Sequence, residues 1–558
     1  MVKCPGCGAG MRFDPATQMM KCDHCDNTVL PSTVPQASMI EGQSVFESTL
    51  YSCPDCGAEV IADEDTVATF CSFCGASVML ERKDVMMAAP SYVLPFQKTK
   101  EMAEAEYKKK VRRALFAPKY MKEDAQISKM RGIYIPYWNY DFSKEGEIAY
   151  PGTRSYRQGD YEITDFYNLV ADVDASYKGL AFDASASFAD ELSEAIAPFD
   201  VRANVNFNAA YLSGFYADTA DVQASVYEKE AQEIATTDIA KRVRLQPSFR
   251  QYSMSMVPVG GNTSMQVGRS EVSYFPVWFM ANRNKDKVSY AVINGQTGKI
   301  AVDIPIVFGK YLLGALLIAA PIAVLLNIIN VVLTPTMLMV IGIIFAIICY
   351  SKANKQLNML FTRQWYLNDK GLQSVRGGRP RNAEVDKQVA ANYAANAKRE
   401  MNNKTPKATS GAGRAVGAGA LWFYGTIAIA YFCLDSGLPL EVAAFVSVAL
   451  FINVIVQAVI GNSKARKAKP AKKVVFRCPM KQKIGTLIKP LLAIILGLFA
   501  LLFYRSFQYN DAVLYGGVIA VMILVVISFF ELVRLHNKLA LRMPRQFAKR
   551  GGDENEGI

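Results

Sequence analysis

Histidine is nearly absent from this chain: only His24 and His536 occur in 558 residues. A Ser-His or Cys-His catalytic arrangement is therefore excluded away from those two positions. No GxxxxGK[ST] string occurs, which removes an ATP-driven motor. The nearest string, Asn294-Gly295-Gln296-Thr297-Gly298-Lys299, has neither the spacing nor a following helix, so it reads as a glycine-rich turn between two strands. Behind Met1-Val2-Lys3-Cys4-Pro5 there is no apolar run, so no secretory signal is expected and the first residues are expected in the cytoplasm. Charge is missing over long intervals, most plainly the 41 positions between Lys310 and Lys352.

What is present is apolar. The AVILMFWYC residues make up 51% of the chain, charged residues 20%, and mean hydropathy is +0.11, too apolar for one soluble domain. The net charge of +12 is divided unevenly: residues 1–310 carry 32 basic and 39 acidic side chains, residues 311–558 carry 30 and 11. The basic surplus lies wholly in the apolar half, where it marks membrane flanks rather than a nucleic-acid surface.

Eight of the eleven cysteines form four Cys-x-x-Cys pairs within the first 74 residues. Cys4-Pro5-Gly6-Cys7 is followed by Cys22 and Cys25, and Cys53-Pro54-Asp55-Cys56 by Cys71 and Cys74, with fourteen residues between the pairs in both cases. This duplicated spacing predicts two structural Zn2+ ions, one on Cys4, Cys7, Cys22 and Cys25, the other on Cys53, Cys56, Cys71 and Cys74. A catalytic zinc would keep a position open for water, and here four thiolates fill all four. His24 is expected to be a loop residue, not a ligand. Residues 1–80 hold only Lys3, Arg12 and Lys21 against ten carboxylates, so phosphate would be repelled and nucleic-acid binding is disfavoured. Protein recognition and structural capping are equally open roles.

The expected organisation is multidomain: zinc ribbon 1 over 1–30, a linker over 31–50, zinc ribbon 2 over 51–82, and a soluble α+β domain over 89–310. The two ribbons are expected to behave as acidic arms. Helices are expected over 98–116, with Met102, Tyr107, Val111 and Leu115 on one side, and over 221–243. Tyr134-Ile135-Pro136-Tyr137-Trp138 and Tyr274-Phe275-Pro276-Val277-Trp278 repeat a Tyr-x-Pro-x-Trp pattern, each read as a strand that its proline confines to an edge or a strand end.

An all-α membrane domain of six transmembrane helices in three hairpins is expected beyond that: 311–351, 415–463 and 484–530. Cytoplasmic basic loops over 352–414 and 464–483 and a tail over 531–558 complete the chain. One helix of 41 residues would be roughly 60 Å long, about twice the hydrocarbon thickness, so the first stretch must turn back, at Asn327 to Pro335. Lys489 is expected to snorkel. Basic residues number thirteen over 352–414, ten over 464–489 and six over 534–550, whereas the opposite connections hold only Arg505, which places both termini in the cytoplasm.

With the cysteine quartets, the two Tyr-x-Pro-x-Trp segments and the Asn-Gly-Gln-Thr-Gly-Lys turn, residues 1 to about 310 resemble bacterial TFIIB-type zinc-ribbon-containing proteins. Some membrane-bound members are associated with flotillin-like and phage-shock-type proteins of the envelope stress response. The resemblance implies a recruiting or anchoring role toward such cytoplasmic proteins and carries over no functional residue beyond the eight cysteines. The closed metal sites, the two histidines and the missing nucleotide loop add the expectation that this scaffold is non-enzymatic. The basic loops are expected to meet anionic lipid headgroups, and oligomers are allowed. A transporter or channel subunit with a regulatory zinc-ribbon domain is the alternative, and a membrane-tethered nucleic-acid-binding protein a lesser one.

Overall fold

A computed structural model describes residues 2–34, 45–62, 71–76, 81–259, 265–284, 287–328, 334–375, 478–506 and 511–542. The chain opens with a three-stranded antiparallel sheet, β1 (Met11–Asp14), β2 (Met19–Cys22) and β3 (Thr28–Val29). The next strands, β4 (Val45–Ser52), β5 (Glu59–Ile61) and β6 (Glu81–Ala88), belong instead to a twelve-stranded sheet. β4 pairs with β6 along its whole length and begins inside the interval expected to be linker. Pro31, at the start of that interval, is buried, and its carbonyl accepts from Asn208 Nδ2 at 3.0 Å.

Two similar halves follow. In the first, β7 (Tyr92–Val93) leads to α1 (Lys100–Arg113), the short α2 (Asp124–Ile127) and a long hairpin of β8 (Arg131–Gln158) and β9 (Tyr161–Asp183). α1 starts where Thr99 accepts from the Met102 N–H, and it buries Ala103, Tyr107 and Val111, spaced four apart on one face. Of the residues expected on that face, Tyr107 and Val111 are buried; Met102 is 51% exposed because Ala103 takes its place in the row, and Leu115 is 74% exposed because α1 has already ended at Arg113. After α3 (Asp190–Ile196) and β10 (Val205–Asn206), the second half runs β11 (Tyr216–Ala217), α4 (Ser225–Leu245), β12 (Ser253–Met254), then the hairpin of β13 (Gln266–Asn284) and β14 (Lys287–Asn294), with β15 (Ile300–Val302) beyond.

The halves exchange their leading strands. β11 runs parallel to β8 of the first half, and β7 runs parallel to β13 of the second. β8 and β13 are antiparallel neighbours at the centre, so the two Tyr-x-Pro-x-Trp segments face each other, Pro136 opposite Tyr274 and Tyr134 opposite Pro276. This corrects the edge-strand expectation. A proline is tolerated here because each sits one residue past the end of an outer ladder: β9 stops at Asp183 opposite Tyr137, and β14 stops at Asn294 opposite Val277. The missing N–H falls where one neighbour has ended, and each proline carbonyl still accepts, from Ala184 N–H at 2.7 Å and Gly295 N–H at 2.8 Å. Between the strands and α1, Phe96 stacks on Phe215 at 4.4 Å and packs against Tyr134 and Trp278. Phe96 is fully buried, a contribution of about 2–3 kcal/mol for a side chain of this size.

Among the described residues, four helices are long and apolar enough to cross a membrane: α5 (Phe308–Ile328), α6 (Pro335–Gln364), α8 (Met480–Ser506) and α9 (Asp511–Ala540), with the short α7 (Lys370–Val375) after α6. The pair expected at 415–463 lies outside the described residues. Thr334 caps α6 by accepting from the Met337 N–H. α6, α8 and α9 form a bundle around Met339, Ile343, Ala493, Leu514 and Val521. Glycines permit the close approach: a Cβ on Gly342 would lie 2.8 Å from Val521, and one on Gly497 2.7 Å from Ile343.

Two membrane-side expectations change. α6 continues unbroken to Gln364, through the first part of the interval expected to be a basic loop, and α9 likewise continues to Ala540 within the expected tail. Charges at and just beyond the ends of α6 and α9 meet the soluble domain. Arg363 pairs with Glu191, Lys370 with Glu230 at 2.6 Å, and Arg542 with Asp303 at 2.7 Å. Arg542 also exchanges backbone hydrogen bonds with Val288, and Asn537 bonds both polar groups of Ile306. Lys489, expected to snorkel, reaches Glu531 on α9 at 2.6 Å.

Candidate metal centres

Each Cys-x-x-Cys pair sits on the same backbone turn. The first cysteine's N–H donates to the carbonyl five residues on, and the residue after the second cysteine donates back to the first cysteine's carbonyl: Cys4 to Ala9 and Gly8 to Cys4, Cys53 to Ala58 and Gly57 to Cys53, Cys71 to Ala76 and Gly75 to Cys71. That residue needs a positive φ, which is +74° at Gly8, +73° at Gly57 and +69° at Gly75. The fourth turn, at Cys22 and Cys25, has Asp26 there at φ +53°. Aspartate tolerates the left-handed region better than most residues, so the fourth turn closes without glycine.

These turns bring four sulfurs together twice. In each quartet the ligand atoms all lie within 4.8 Å of one another. Cys4–Cys25 and Cys7–Cys22 are 3.5 Å apart, Cys53–Cys74 is 3.9 Å and Cys56–Cys71 is 3.8 Å. All eight are free cysteines. Metal–sulfur bonds of about 2.3 Å in a tetrahedron separate the sulfurs by about 3.8 Å, so both quartets fit a tetrahedral ion and can hold one. His24 is exposed in the turn and belongs to neither group.

The sulfurs of each quartet also perturb one another strongly. Burial raises the Cys4 thiol, but the N–H groups of Gly6 and Cys7 outweigh it and bring it down to about 6. The Asn27 N–H lowers Cys25, but the sulfurs of Cys7 and Cys4 prevail and push it up to about 12. In the second, more buried quartet, Cys56 and Cys71 are pushed far up, the Cys53 sulfur being the largest cause for both. Four thiolates this close cannot coexist in a low-dielectric site without a positive ion between them.

The centres are not carried on free arms. Around the first, Phe13 packs edge-on against Tyr211 at 5.1 Å, its N–H donates to the Ser213 carbonyl, and Gln18 Nε2 donates to the Phe96 carbonyl at 2.7 Å. Cys4 and Cys22 belong to one continuous core with Tyr134 and Trp278. Around the second, Phe73 packs on Phe279 at 5.6 Å, and the four cysteines share a core with Ile133, Phe275 and Val292. The acidic-arm expectation is thereby corrected: apolar residues beside the cysteines dock both modules onto the sheet.

No family model matches the chain, and no solved structure matches it. The chain is similar to the uncharacterized protein YdjG of Bacillus subtilis (strain 168), 28% identical over 317 residues, which cover 55% of this chain and 91% of that protein.

Proposed function

We propose that this is a non-enzymatic, multi-pass membrane scaffold in which two zinc ribbons of TFIIB type form part of a cytoplasmic recognition domain. The observation that carries the reading is that both metal quartets are filled by protein thiols and built into the wall of a domain fastened to membrane helices through Arg363, Lys370 and Arg542. Sites so closed hold surfaces in shape rather than activate substrate. The four described spans, with the uncharged stretches 415–434 and 442–463, make the proposed total of six, and the basic bias of the connections sets both ends in the cytoplasm. The partners proposed are cytoplasmic proteins of flotillin-like or phage-shock type, and the basic stretches outside the contacts above face anionic headgroups.

The test is co-purification of the full chain from detergent extracts, paired with flux measurements in proteoliposomes. Recovery of flotillin-like or phage-shock-type chains, lost on reversing the exposed charges of Asp23 and Asp26, supports the scaffold. A specific ion or solute flux carried by the same preparation would replace it with the transporter reading.

A further inference from the structure

The two metal centres have different surroundings. At the first, Cys7 and Cys25 are exposed, and the donors nearest the sulfurs are neutral: the Gly6 N–H at 3.4 Å and Asn27 Nδ2 at 3.8 Å, both to Cys4. Arg12, the nearby guanidinium, is directed to Asp23 at 3.5 Å with more than half of its side chain in solvent. At the second, all four cysteines are buried and a guanidinium comes from the central sheet. Arg283, on β13 and 228 residues from Asp55, donates from Nη1 to Asp55 Oδ2 at 2.6 Å, and the same nitrogen lies 4.0 Å from Cys74 Sγ.

Asp55 Oδ2 itself is 3.6 Å from Cys74 Sγ. A carboxylate and a metal-bound thiolate at that separation repel, and Arg283 is the cation placed to offset both. The contact is shaped for it. Gly75, in the turn that follows Cys74, lies so close to β13 that a Cβ there would be 3.1 Å from Arg283 Cβ and 3.2 Å from the Ala281 carbonyl. Charge-assisted contacts outside the ligand set orient ligands and slow their departure, and losing one typically costs about 10–100-fold in metal affinity.

We propose that Arg283 is the outer-sphere cation of the second centre, holding the Cys74 thiolate on its metal so that this ion is retained while the ion at the first centre exchanges with solvent. The inference rests on the reading that both quartets bind zinc. It makes the second centre a permanent part of the sheet and the first the place where metal or thiol chemistry reaches the protein.

The experiment uses the zinc-loaded full chain in detergent, mixed with excess 4-(2-pyridylazo)resorcinol, with the freed cysteines alkylated and identified over time. Release is expected in two phases of about one ion each, with Cys7 and Cys25 modified before Cys53 and Cys74. Arg283→Gln should speed the slow phase by about 10–100-fold and leave the fast phase unchanged. Arg283→Lys, which keeps the stem against Gly75 and the charge, should fall between. One shared rate for both ions, or a slow phase unmoved in Arg283→Gln, overturns the proposal. Should Arg283→Gln fail to fold, the order of loss in the unsubstituted chain decides, and modification of Cys53 and Cys74 first overturns it. A protein purified without any metal would instead overturn the zinc reading on which the proposal rests.

Discussion

Trp138 and Trp278 are anchored alike: Trp138 Nε1 donates to the Val222 carbonyl at 2.7 Å, and Trp278 Nε1 to the Lys98 carbonyl at 2.9 Å. Each acceptor lies five residues past the strand residue, Ala217 or Val93, that pairs with the tyrosine of the same Tyr-x-Pro-x-Trp segment. The repeated pattern thus records a duplicated strand–helix–hairpin unit whose two copies interlock. Trp138→Phe and Trp278→Phe should each destabilise the soluble domain by about 1–3 kcal/mol, because a carbonyl loses its donor in a partly dry site. Urea unfolding of the detergent-solubilised chain measures it, and a loss confined to one of the two would show that the copies are not equivalent in energy.

Asp218 supplies a pH dependence. It is fully buried, accepts from Ser185 Oγ and the Thr219 N–H, and burial pushes its carboxyl up to about 8. The folded state therefore holds a proton that the unfolded chain releases near pH 4. Its stabilising contribution is full below pH 4 and is lost as pH rises toward 8, at up to about 1.4 kcal/mol per pH unit in that window. Asp218→Asn should flatten the stability profile between pH 4 and 8 and raise stability at pH 8. Equal slopes in both proteins would contradict this.

At the junction with the membrane helices, Arg542 and Asp303 are 12% and 19% exposed in their side chains. Arg542→Ala should cost about 3 kcal/mol by leaving the carboxylate buried and unpaired. Adding Asp303→Asn should recover most of it. Thermal unfolding in detergent checks both steps, and equal losses in the single and double variants would show that the arginine acts through its other contacts.

Reporter fusions test the orientation. Those after Asn330, Ser436 and Gln508 should report outside, and those after Ser410 and Ala471 inside. An external position for the 352–414 connection would overturn the charge argument.

What could be seen in the sequence was what is local. The metal quartets were visible because ligand spacing follows from the turn that builds the site, and the apolar helices α5 and α6 because an uncharged run of 41 residues has few alternatives. The pairing of Tyr134 with Pro276 was not visible, since a strand's partner can lie 140 residues away and the pattern does not say which. Arg283 belongs to no motif and becomes legible only when β13 reaches Asp55. The charges of Arg363 and Lys370 looked like a solvated loop because their partners, Glu191 and Glu230, are more than a hundred residues earlier in the chain.

The central claim is that two closed four-sulfur zinc centres are built into this membrane-fastened domain. Zinc X-ray absorption on the purified full chain, with metal content measured on the same sample, tests it most directly. The account predicts two zinc ions per chain, each with four sulfur neighbours at about 2.3 Å and no oxygen or nitrogen ligand. Fewer than two ions after purification without chelator, or a first shell containing a light-atom ligand, would contradict it.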